Sequence, residues 1–268
     1  MKQQTNPGRR LRPLLVMLAA GMAAVCGCAS QASAVRAFES GNYEVAATEL
    51  QELAGNGDKN FALYGADYGV VLMYMGRLER ARQVLQGTSQ VMTTPGGGEM
   101  RGWGSLVVHE SLKRFKGASF EKAMVEVYVG VTSWLLGDLE TLMVAMRRVL
   151  LADETSGQEF GGDFAPAHYL YGLAARVRGD TDTFRIGLEK ASARWPDNPY
   201  LKLDVARRTN LVVLLEAGQG PARVRTGWMS SFSQFVPVRS PWNGAAVAVD
   251  EQPARPAAQV LDLYYQAR

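Results

Sequence analysis

Four glycines, each closing an apolar stretch and each followed by a polar residue, constrain this chain more than any other feature. They lie in Ser40-Gly41-Asn42-Tyr43, Met75-Gly76-Arg77-Leu78, Leu136-Gly137-Asp138-Leu139 and Arg178-Gly179-Asp180-Thr181. Glycine takes the left-handed backbone conformation without the steric cost a Cβ brings, so it ends one helix and lets the polar residue after it begin the next. Each site therefore predicts the turn of a helical hairpin. Seven residues before the turn glycine stand Ala34, Gly69, Gly130 and Gly172, small enough for the two helices of a hairpin to approach closely. Five residues after it stand Ala46 and Ala81, but then Leu142 and Phe184, so the pattern loosens in the later copies. Pro196, seventeen residues after Gly179, closes the second helix of the fourth copy.

The turn glycines are separated by 35, 61 and 42 residues. Only the first interval matches a tetratricopeptide repeat of about 34 residues. The longer ones require inserted loops, for which Thr93-Thr94-Pro95-Gly96-Gly97-Gly98 is the clearest candidate. With turn glycine, preceding small residue and closing proline together, the chain resembles the tetratricopeptide-repeat superfamily from about Ala34 to Pro199, and the fourth copy, His168 to Pro196, is the best match. The resemblance implies a mainly α fold, a solenoid of α-α hairpins.

The block Phe120-Glu121-Lys122-Ala123-Met124-Val125 leading to Tyr128, then Leu136-Gly137-Asp138 and Arg147-Arg148, is similar to a group of bacterial tetratricopeptide-repeat lipoproteins. In that group it precedes a hairpin like Ala167 to Ala191 and a turn like Glu216-x-Gly218-x-Gly220-Pro221. The resemblance implies a family and a location, and no catalytic residues. The chain departs from it in its first intervals and in ending at Arg268 within an amphipathic run, Ala257 to Ala267, which leaves room for a further C-terminal element.

The N-terminus points to export. Lys2, Arg9, Arg10 and Arg12 form a basic flank, and Leu14 through Val25 form an apolar segment too short for a confident membrane span. Val25-Cys26-Gly27-Cys28 follows and resembles the lipobox of bacterial lipoproteins, with Cys28 as the acylated residue. A plain secretory signal is the alternative, and Arg9-Arg10 reads as a basic flank rather than a twin-arginine signal. Residues 1–27 are then a signal peptide, 28–33 a tether, 34–208 the repeat domain and 209–268 an appendage. Ala29, after Cys28, lacks the aspartate that resembles an inner-membrane retention signal, which favours the outer membrane facing the periplasm.

Removing the leader changes the charge argument. The whole chain carries 29 Lys+Arg against 26 Asp+Glu, and loss of the four basic leader residues leaves 25 against 26. No basic stripe survives to neutralise phosphates, so nucleic acid is excluded as a partner class. Both cysteines lie in the leader region, so the exported body has no disulfide and must be held by packing. About 240 residues, in a chain that is 47% apolar, suffice for that.

No reactive constellation stands out. His109 and His168 have no carboxylate at metal-binding spacing, and His109-Glu110 lacks the second histidine of a metalloprotease helix. There is no Gly-x-Ser-x-Gly elbow, and Pro95 to Gly98 is not followed by Gly-Lys-Ser/Thr. Asp153-Glu154 and Glu159 lack the alternating carboxylates of a calcium loop. Arg147-Arg148 beside Glu140 reads as a charge-paired helix face. The expectation is a non-enzyme with no metal or cofactor.

Beyond the hairpins, Leu211 to Leu215, Phe232 to Val238 and Ala245 to Val249 are short apolar runs bounded by Gly, Pro and Ser. They suggest strands, with a buried helix segment open for the first, and so a small C-terminal β-containing appendage. Pro253 to Pro256 reads as a linker. Trp228, Phe232, Phe235 and Trp242 form either the appendage's own core or a ligand surface.

Two functions follow. One is a membrane-anchored scaffold whose concave face takes a protein or peptide, with Tyr64, Tyr68, Tyr128, Trp134 and Tyr171 of the first helices as candidate contacts or as hairpin core. The other is an envelope ligand-binding protein or enzyme using an aromatic pocket in the appendage.

Overall fold

The structure, a computed structural model, describes residues 30–57, 59–94, 116–154, 164–209, 211–214, 216, 222–226, 232–236, 246–247 and 255–256. Eight helices form four hairpins in chain order: α1 (Gln31–Glu39) with α2 (Tyr43–Gly55), α3 (Phe61–Tyr74) with α4 (Leu78–Thr93), α5 (Ser119–Leu135) with α6 (Leu139–Glu154), and α7 (Ala165–Val177) with α8 (Thr181–Arg194). A 3-10 turn (Pro199–Leu201) and a short α9 (Leu203–Arg208) follow.

All four turns form at the glycines that punctuate the sequence. Gly41, Gly76, Gly137 and Gly179 have φ of 78°, 71°, 78° and 85°. In each, the glycine N–H donates three residues back and the next N–H donates five back. In the third, for example, Gly137 N–H reaches the Trp134 carbonyl (2.8 Å) and Asp138 N–H reaches the Ser133 carbonyl (2.8 Å). This double bond pattern satisfies carbonyls that the helix end would otherwise orphan. The polar residue after the glycine then starts the next helix. Asp138 Oδ1 accepts from Thr141 N–H (2.9 Å), and Asp180 Oδ1 accepts from Thr183 N–H (2.9 Å). Both carboxyls are held below the ordinary range chiefly by these hydrogen bonds to Thr141 and Thr183.

The small residues seven positions earlier set how closely the paired helices pack. A Cβ on Gly69 would meet Leu85 Cδ2 at 2.6 Å, and one on Gly130 would meet Met146 Cε at 2.5 Å. A Cβ on Gly187 would lie 2.9 Å from the Gly172 Cα, a glycine-to-glycine crossing in the fourth hairpin. The looser positions five residues after the turn are all buried as well: Ala46, Ala81, Leu142 and Phe184. Leu142 grows into the space over Gly130, where its Cδ1 would stand 3.1 Å from an added Cβ. The loosened pattern thus keeps its packing role with larger side chains.

Each helix packs on its neighbour in the chain, and α3 also touches α5. The core is correspondingly segmented. One cluster joins α1 to α4 around Leu50, Leu72 and Val84, the largest centres on Leu85, Val129, Leu142, Met146 and Phe164, and the third surrounds Phe184, Leu188 and Leu201.

The long intervals fall between hairpins and their flanks are tied down. Lys116 Nζ donates to the Thr94 carbonyl (2.6 Å) and the Val91 carbonyl (3.3 Å), capping α4 where residues 95–115 depart. Phe164 N–H donates to buried Asp153 Oδ2 (3.2 Å) across 155–163. Pro95 to Gly98, His109 and Glu159 lie outside the described residues, as do the leader and Cys28.

Beyond the end of α8, Asn198 caps the 3-10 turn with its Oδ1 accepting from Tyr200 N–H (2.9 Å). Two expectations need correction. Leu211 to Leu214 is neither strand nor buried helix; it has no regular structure and is 36–66% exposed. Arg147 and Arg148 do not pair along their own helix with Glu140, since partners on adjacent helices lie closer. Arg147 Nη2 donates to the Tyr171 hydroxyl (2.6 Å), Arg148 pairs with Glu126 (3.5 Å), and Glu140 pairs with Arg178 (2.5 Å).

Beyond α9, β1 (Ala222–Thr226) pairs antiparallel with β2 (Phe232–Val236), and β3 (Ala246–Val247) with β4 (Arg255–Pro256). β4 falls where the sequence suggested a linker. Trp228, Trp242 and the run from Ala257 to Ala267 lie outside the described residues.

Candidate partner-binding surface

The first helices of three consecutive hairpins enclose a cavity of about 300 Å³. Val35 and Phe38 of α1 form one wall, Leu63, Ala66 and Val70 of α3 the floor, and Met124 and Tyr128 of α5 the other wall. Val35 stays 43% exposed although α1 buries Ala34 one residue earlier, as an apolar residue on a solvent-facing groove would.

One carboxylate sits in this apolar floor. Asp67 Oδ2 accepts from Gln31 Nε2 (3.1 Å), and burial pushes its carboxyl up to about 6 against the lowering effect of that hydrogen bond. It is a lone acid in a helix otherwise made of Phe61-Ala-Leu-Tyr-Gly-Ala and Tyr68-Gly-Val-Val-Leu-Met-Tyr, and that isolation was the signal available in sequence.

Tyr128 lines the groove. Tyr64 and Tyr68 do not; they are core residues, 8% and 5% exposed, and the Tyr68 hydroxyl donates to Gln51 Oε1 (3.1 Å) on α2. Trp134 is partly buried between the central and terminal core clusters. Tyr171 lies under the Arg147 guanidinium, 5.3 Å from ring centroid to Cζ, joining the third hairpin to the fourth. Spacing placed all five on first helices but could not say which face each one takes.

A second feature went unseen in the sequence. Past α9, Thr209 and Glu216 lie against first helices. Arg176 of α7 donates to the carbonyls of Ala206 (2.7 Å), Arg207 (2.8 Å) and Thr209 (2.9 Å), and Glu216 accepts from the Tyr74 hydroxyl of α3 (3.4 Å) with its charge near Tyr128 of α5. Burial first, then Glu216, raises both tyrosines, so their hydroxyls are protonated donors. Tyr74 packs edge-on against Phe38 (5.1 Å) and beside Tyr43 (6.0 Å), which fixes its ring at the groove's end.

Other buried ionisable groups belong to hairpin contacts. Glu126 is 3% exposed, bonded by Ser89 and paired with Arg148; burial raises its carboxyl, and Ser89 and Arg148 lower it. His168 is pushed down to about 4, by burial first and then by Lys190 and Arg194. No group of three or more His, Cys, Asp or Glu able to hold a metal occurs among the described residues. Nor is any described helix long and apolar enough to cross a membrane.

Glycine-turned antiparallel helix pairs stacked one on the next define a mainly helical fold of α-α hairpins. No family model matches the chain, and no curated protein does. Among solved structures it is similar to one described as "MamA RS-1 ArsTM double mutant", at 16% identity and a TM-score of 0.47, over 66% of this chain and 82% of that one. At that level the likeness adds nothing to the geometry above.

Proposed function

We propose that the chain is a membrane-anchored lipoprotein of the bacterial cell envelope, held by Cys28 and facing the periplasm from the outer membrane, and that it works as a non-catalytic scaffold. The observation that carries this reading is the groove across α1, α3 and α5: apolar, open, and built from the element faces that a hairpin stack leaves free. The lipobox-like Val25-Cys26-Gly27-Cys28 supports the anchor, since it stands just before α1. A protein or peptide laid along the first helices would bury Val35, Val70 and Met124 together. Stacked helices supply such a surface without assembling reacting groups.

Two variants test the reading. Val35→Arg puts a charge in the groove at a half-exposed site, whereas Ile186→Arg puts one on α8, outside the groove, at 44% exposure. Proteins co-purifying with the acylated chain from envelope membranes should be lost with Val35→Arg and retained with Ile186→Arg. Retention by both would end the groove's role. For the anchor, Cys28→Ala should release the protein from the membrane fraction, and its persistence there would contradict acylation.

A further inference from the structure

The charged side chains that line the groove are all acidic. They are Asp67 and Glu121, and no Lys, Arg or His stands among the described lining residues. Glu121 has a local task, since its Oε2 accepts from the Ala118 N–H (2.5 Å) at the start of α5. Asp67 is different. Its one hydrogen bond among the described residues runs from Gln31 Nε2 to Oδ2 (3.1 Å), a tie between α1 and α3 that the carbonyl of a neutral amide would accept as well. Oδ1 has no donor there and is not sealed in the protein as Glu126 Oε2 is.

The charge at Asp67 is also unbalanced. Burial raises its carboxyl, and no cation among the described residues acts against that. A carboxylate desolvated in this way destabilises the fold unless a cation or further donors reach it. Asp67 and Glu216 both act on Tyr128 in the groove wall, so the negative potential extends beyond one residue.

The shape fits a long basic side chain. A volume of about 300 Å³ is the lower limit for small-ligand pockets, room for a few side chains of a bound segment. Val35, Val70 and Met124 offer apolar walls to a methylene stem, and the carboxylate set among them meets its charged head. Gln31 already holds Oδ2, so one oxygen remains, which suits the compact ammonium of lysine better than the two-pronged guanidinium of arginine.

We propose that the groove receives a peptide segment in which a lysine is flanked by apolar residues, its ammonium paired with Asp67 Oδ1 and its stem lying along Val35, Val70 and Met124. This deepens the scaffold reading and rests on it: the first-helix groove binds a partner segment, and Asp67 selects a cation within it.

The probes are fluorescein-labelled peptide pools, Gly-Ser-X-X-Lys-X-X-Ser-Gly with X an equal mixture of Leu, Val and Met, and the same pool with Gln or Glu in place of Lys. Fluorescence anisotropy with the whole chain at pH 7.5 should show the Lys pool binding at least about tenfold more tightly than the Gln pool, the least that a charge-assisted hydrogen bond contributes. The Glu pool should bind more weakly still. Asp67→Asn keeps an acceptor for Gln31 and should bring the Lys pool to the affinity of the Gln pool while leaving the Gln pool unchanged. Equal affinity of the Lys and Gln pools for the parent chain, a lysine preference that survives Asp67→Asn, or no binding of any pool would each overturn the proposal. Dimerisation of the parent chain that Val35→Arg abolishes, with no pool bound, would give the groove to a second copy instead. If co-purification is still lost with Val35→Arg, failure of the lysine preference removes the role of Asp67 and leaves the groove standing.

Discussion

Gly187 and Gly130 look alike in sequence, yet their surroundings set different limits. A Cβ on Gly187 would stand 2.7 Å from the His168 carbonyl oxygen and 2.9 Å from the Gly172 Cα, both backbone atoms that move only if the hairpin opens. Gly187→Ala should therefore cost about 2–3 kcal/mol by overpacking. At Gly130 the closest atom is the flexible end of Met146, and alanine gains helix propensity, so Gly130→Ala should lie within about 1 kcal/mol of neutral. Urea unfolding of the two variants measures both, and equal losses would contradict the assignment of backbone contact. Asp67 gives a pH test. Its folded carboxyl is raised from 3.8 to about 6, so the folded state binds the extra proton between those values and stability falls as pH rises through that window. Asp67→Asn, which removes the charge, should raise stability by about 3 kcal/mol at pH 7.5 and by almost nothing near pH 3.5. Thermal unfolding at both pH values decides it, and a gap of the same size at each would contradict a buried charge.

At the scale of elements, the turns and small-residue contacts were legible because each depends on a local requirement: a positive φ that glycine meets, or a close approach that only a missing Cβ allows. The course after Arg194 was not legible for the opposite reason. Arg176 reaches about 30 residues ahead to hold the end of α9, and no periodicity encodes such a contact. Leu211 to Leu214 has the β-branched, apolar character of a strand, but it finds neither a partner strand nor burial, and tertiary context overrides that preference. Arg176→Ala should fray α9, since it strips three charge-assisted hydrogen bonds from the last carbonyls. Trypsin should then cut after Arg207 and Arg208 several-fold faster, and an unchanged cleavage rate would show that α9 is held by Leu201 and Ala206 packing alone.

For the whole molecule, sequence spacing placed the aromatic candidates on first helices but could not sort groove from core. Tyr128 lines the trough while Tyr64 and Tyr68 turn inward, a difference decided by how neighbouring hairpins stack. Exposed ion pairs such as Arg77 with Glu44 (2.6 Å) and Arg178 with Glu140 (2.5 Å) join successive hairpins but contribute little in water, so the stack is held by its segmented core. The groove exists only if each second helix folds back at its glycine, which brings the first helices side by side. Nuclear Overhauser effects in solution read that closure directly. The structure predicts cross-peaks between the α-protons of Gly172 and Gly187, between Gly130 and the Met146 methyl, and between Gly69 and the Leu85 methyls. Helical backbone shifts over residues 31–194 with all three cross-peaks missing would mean that the helices form without pairing, and would contradict the hairpin stack on which the groove depends.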